Sequence, residues 1–70
     1  MVPEITLEYI DEEWIRITYL AVEDPAAAHI AEDKLWENIL WQIAVGVPNP
    51  TEYANAALHT KEIEFTRWYA

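Results

Sequence analysis

Chemistry-bearing side chains are few in this sequence, and the two commonest nucleophiles are missing: it contains no Ser and no Cys. Acyl transfer and most hydrolysis run through a hydroxyl or thiolate set beside a base, so those function classes lose their residues. A Thr, Lys or Tyr nucleophile is chemically conceivable, but no order of residues marks one. Gly46 is the single glycine, which leaves no G-x-G-x-x-G fingerprint and no phosphate-cradling Walker loop. His29, Glu32 and Asp33 stand three and four residues apart, a spacing that lets an imidazole and a carboxylate share a metal on one helix face. They supply half a site at most, His59 would have to approach through the fold, and a helix-stabilising His–acid pair is the plainer reading. The oxygen-ligand spacing of a Ca²⁺ loop is absent. Glu8, Glu62 and Glu64 could form an acid–base pair only if burial or close like charges tuned them. They read instead as a solvated face on which Arg16 balances Glu8. A non-enzymatic protein with no catalytic residues, no cofactor and no metal is therefore expected.

The elements that would position these residues can be traced along the chain. Residues 5–22 alternate as a β-hairpin would, setting Thr6 opposite Thr18, Glu8 opposite Arg16 and Ile10 opposite Trp14 on one face. Ile5, Leu7 and Tyr9 then meet Tyr19, Ile17 and Ile15 on the other, and a slip by one residue would mix the faces. The loop, Asp11-Glu12-Glu13, lacks the Gly or Asn that a tight hairpin turn prefers. Asp24 as N-cap and Pro25 as the first helical residue predict a helix to about Val45, stopped by Gly46 with Pro48 and Pro50 beyond. Its stripe Ala28, Ala31, Leu35, Ile39 and Ile43, flanked by Trp36 and Leu40, faces the core, while Ile30 and Trp41 fall on the polar side. Residues 50–59 read as a short helix with Thr51 as its cap. Lys61 to Tyr69 read as a third strand with Ile63 and Phe65 inward and Glu62, Glu64, Thr66 and Trp68 outward. The expected fold is α+β, ββα(α)β: a three-stranded antiparallel sheet in the order 2-1-3 with one long helix packed on one face.

Composition bounds the rest. The 70 residues form one acidic domain with a single core, 53% of them are apolar, and the chain should be ordered. A core this small rarely supplies more than about 3–5 kcal/mol, and without Cys no disulfide can help, so self-association is a natural supplement. Thirteen acids against four Lys and Arg leave a net charge of −9, which repels phosphate backbones and anionic lipid and argues against direct nucleic-acid or membrane binding. Met1-Val2-Pro3-Glu4 carries no basic stretch leading into an apolar one, and no run is long enough to span a bilayer. A cytoplasmic protein is expected, in the host cytoplasm if phage-encoded.

The expected outer sheet face interleaves Ile10, Trp14, Leu20, Val22 and Trp68 with Glu8, Glu62, Glu64, Arg16, Thr6 and Thr18. Trp and Arg are typical interface anchors, so Trp14, Arg16, Glu8, Glu62, Glu64, Trp68 and Leu20 form the expected partner-binding set, with Trp41 on the helix as a weaker candidate. Residues 47–60 folding across this face would instead bury the tryptophans. The best-supported role is a small acidic protein-binding module that inhibits or modulates a larger protein by occupying a basic surface, including one that normally holds nucleic acid. Phage and plasmid accessory proteins share this size and charge. The alternative is a homodimer or larger assembly formed through the Trp-bearing sheet face or by edge-strand pairing.

Overall fold

In a computed structural model of the chain, which describes residues 4–67, the polypeptide forms three α-helices: α1 (Leu7–Glu23), α2 (Pro25–Ala44) and α3 (Pro50–His59). A 3₁₀ turn at Thr60–Glu62 follows, and residues 63–67 run on without regular structure. Among the described residues there is no strand. The α+β expectation and its 2-1-3 sheet are therefore corrected to an all-helical fold.

Residues 5–22 mislead because two periods fit them at once. Leu7, Ile10, Trp14, Ile17 and Ala21 are also spaced three and four apart, the period of one helix face, and that face packs on α2. Local signals favour the helix. Thr6 is the N-cap, its side chain accepting a hydrogen bond from the Tyr9 N–H at 3.1 Å. Ile5 and Ile10, placed as a hydrophobic staple would place them, are both buried. The acidic tripeptide Asp11-Glu12-Glu13, poor as a hairpin turn, is ordinary helix interior.

One residue links α1 to α2. Asp24 donates its N–H to the Leu20 carbonyl at 2.7 Å, closing α1, while its carboxylate accepts from the Ala27 N–H at 3.2 Å, opening α2. Asp24→Ala is expected to cost about 1 kcal/mol, as N-cap losses do, read as a lowered urea midpoint in far-UV circular dichroism. At the far end Gly46 takes φ 91°, a value that L side chains avoid. Its N–H and that of Val47 return to the carbonyls of Ile43 and Gln42, each at 3.1 Å, a Schellman closure. These boundaries lie where the sequence places them. In α3 the cap is Asn49 and not Thr51, and no side chain caps it.

Ile10 and Ile17 from α1, Ala28, Ala31, Leu35 and Ile39 from α2, Tyr53 from α3, and Ile5 and Ile63 outside the helices make one core. Aromatic tips tie the layers together: Tyr53 Oη donates to the Ile5 carbonyl at 2.7 Å, and Trp36 Nε1 donates to the Ala57 carbonyl and Thr60 Oγ1, both at 3.0 Å. Ile63 and Phe65 do turn toward the core, but from an extended tail with no neighbouring strand. Side chains hold that tail. Arg67 Nε donates to Glu32 Oε1 at 2.8 Å and Nη2 to Oε2 at 3.2 Å, and Nη2 also reaches the carbonyls of Thr60 and Ile63.

Candidate interaction surfaces

Helical periodicity redistributes the residues expected to share one sheet face. Ile10 is buried, and Trp14 and Leu20 are half-buried against the core. Trp14 faces α3, where its ring lies 5.1 Å from that of His59 and its Nε1 donates to the His59 carbonyl at 3.4 Å. Glu62 joins this corner, its Oε2 lying 3.2 Å from His59 Nδ1. Arg16 pairs with Glu13 at 3.0 Å, not with Glu8, which stands exposed at the start of α1. Glu64 is exposed on the tail, and Trp41 is half-exposed on α2. Trp68 lies outside the described residues. The expected set is thus split among α1, the α1–α3 corner, the tail and α2, and no sheet face unites it among the described residues.

The half-site at His29, Glu32 and Asp33 comes apart too. His29 pairs with Asp33 at 3.4 Å, whereas Glu32, 1% exposed, is taken by Arg67. Among the described residues no group of three or more potential ligands could hold a metal ion. No described helix is long and apolar enough to cross a membrane.

A surface that the hairpin reading hid runs along the solvent side of α1. Ile15, Tyr19 and Val22 are 65%, 64% and 82% exposed, although the hairpin would have turned Ile15 and Tyr19 inward. With 100° per residue, Glu8, Asp11, Glu12, Ile15, Tyr19 and Val22 all fall within about 60° of one line along the helix. From Glu8 to Val22 this line is about 21 Å long at 1.5 Å per residue. Its first half is acidic and its second half apolar. The sequence carried the signal in the i, i+4, i+7 spacing of Ile15, Tyr19 and Val22, the spacing by which a helix presents anchors to a groove. That signal is visible only once residues 7–23 are known to be helical.

A second apolar surface lies between α2 and α3. Trp36, Ile39, Leu40 and Ile43 face Ala54, Ala57 and Leu58 across a groove of about 450 Å³ with Lys61 at its edge. A shallower hollow formed by Glu37, Leu40, Trp41 and Ala44 adjoins it through Leu40. Leu40 and Leu58 are both largely exposed.

Comparison of the chain with models of known protein families, with curated protein sequences and with solved structures found no match.

Proposed function

We propose that this chain is a small acidic binding module, without catalytic activity, that docks the outer stripe of α1 on a basic surface of a larger protein and inhibits or modulates it. The observation that carries this reading is the order of side chains on that stripe: Glu8, Asp11 and Glu12 lead directly into exposed Ile15, Tyr19 and Val22. A helix that displays three unpartnered apolar anchors fits a hydrophobic groove. The acids one to two turns away fit a groove rimmed by Lys or Arg, and the net charge of −9 steers the encounter. A partner surface of that chemistry is also one that could hold nucleic acid, which the module would displace. The non-enzymatic part rests on the absence of Ser and Cys and on the single glycine. The cytoplasm, or the host cytoplasm for a phage-encoded chain, is the compartment proposed.

The test is affinity capture from lysate at low salt, followed by measured affinity for the captured protein. A buried aromatic anchor is worth about 2 kcal/mol or more, so Tyr19→Ala should weaken binding roughly 30-fold. Raising salt from about 0.1 M to about 1 M shortens the screening length from about 10 Å to about 3 Å, and the affinity should fall steeply. DNA or heparin should compete. No captured protein, an affinity indifferent to salt, or equal binding by Tyr19→Ala would each remove the reading.

A further inference from the structure

The α1 stripe and the α2–α3 groove differ in charge, and the difference points to different occupants. The α1 stripe is framed by acids. The residues lining the α2–α3 groove and the hollow beside it include one acid, Glu37, and one cation, Lys61, in a chain with 13 acids and four Lys and Arg. Lys61 is held close to this face, its Nζ lying 5.8 Å from the centre of the Trp36 ring. Two copies of a chain carrying −9 repel each other over most of their surfaces. They can approach only where local charge is low and balanced, and this face meets that condition.

We propose that a second copy of this chain occupies the α2–α3 groove, the Leu40, Trp41 and Leu58 face of one copy packing on the same face of the other about a two-fold axis. Self-complementarity follows from chemistry. An isologous contact brings a surface against itself, and a face with one cation, one anion and otherwise apolar side chains presents matching groups in both directions. A strongly acidic face could not. Pairing also takes Leu40, Trp41 and Leu58, which are all exposed, out of water. α1 lies on other surface, so a dimer would display two α1 stripes.

Dimerisation so driven responds to salt in the direction opposite to binding of a basic partner. Screening relieves the repulsion between two acidic copies, so self-association tightens as salt rises, whereas the α1 contact weakens. The two readings can therefore fail separately.

Sedimentation equilibrium on the full chain, up to about 0.5 mM, reads the association directly. The wild type should be a dimer at that concentration, with affinity rising between about 0.1 M and 1 M salt. Leu58→Glu, at an exposed position where folding should survive, should weaken the dimer at least tenfold, and circular dichroism checks the fold. Lys61→Glu, which leaves the face with acids alone, should weaken it also, while Tyr19→Glu on α1 should leave it unchanged. A monomeric wild type, a dimer that survives Leu58→Glu, a dimer dispersed by Tyr19→Glu, or native mass spectra of a monomer carrying a bound amphiphile would each overturn the proposal.

Discussion

Replacing Arg67 with alanine is expected to destabilise the protein by about 3–5 kcal/mol, the penalty for leaving a buried charge without its partner. Glu32 is 1% exposed, and Arg67 meets both of its oxygens. The same guanidinium accepts no substitute easily. It also binds the carbonyls of Thr60 and Ile63, at 2.9 Å and 2.7 Å, and lies 4.1 Å from the Phe65 ring centre. Truncation therefore strands a carboxylate in the interior and releases the tail that carries Ile63 into the core. For 70 residues, total stability near 0.05–0.15 kcal/mol per residue amounts to roughly 4–10 kcal/mol, so the variant should lose about half of it and its urea midpoint should fall steeply. The paired replacement Glu32→Leu with Arg67→Met should behave differently. Exchanging a buried ion pair for apolar side chains of similar volume removes the stranded carboxylate, so the double variant should recover most of the loss, staying below the wild type by the bonds that Arg67 gives the Thr60 and Ile63 carbonyls, about 1–2 kcal/mol. An Arg67→Ala protein with an unchanged midpoint would show that the tail is not held in this way.

Ile17→Ala should cost about 2–5 kcal/mol, whereas Ile15→Ala should stay within about 0.5 kcal/mol of the wild type. The two residues stand two apart in the sequence. In a strand they would share a face and lose comparable packing. In α1 they lie roughly 200° apart, so Ile17 is fully buried and Ile15 is 65% exposed. The contrast between them thus measures the periodicity of residues 7–23 directly. Chemical-denaturation midpoints for the pair decide it: two similar, large losses would restore the hairpin and remove α1, along with the binding stripe drawn on it.

The candidate surfaces were legible in proportion to how local their causes are. Helical spacing alone turns Trp41 toward water, and it is half-exposed there beside Leu40. A strand with Ile10 opposite would place Trp14 outward as a surface anchor, whereas in α1 it packs against His59. The same pairing turns Tyr19 and Ile15 inward, and both are exposed on α1. One misjudged period exchanges inside for outside along a whole element. The Glu32–Arg67 pair gave no signal in the sequence at all, since 35 residues separate its members and nothing local to either names the other. Glu32 looked like the neighbour of His29 and Asp33, and only the return of the tail across α2 takes it away from them.

What the sequence determined by itself is whatever depends on composition or near neighbours: the charge of −9, the absence of Ser and Cys, and the limits of α2. Asp24, Pro25 and Gly46 act through backbone geometry within a few residues, which any reading of the chain can follow. Only the tertiary structure decided what residues 5–22 become. Their apolar side chains satisfy periods of both 2 and 3.6, β-branched Ile and Thr favour the first, and the Thr6 cap favours the second. The balance is settled by the surface each form would bury, and α2, one residue away across Asp24, offers the helix a partner that no strand in the described chain offers a hairpin.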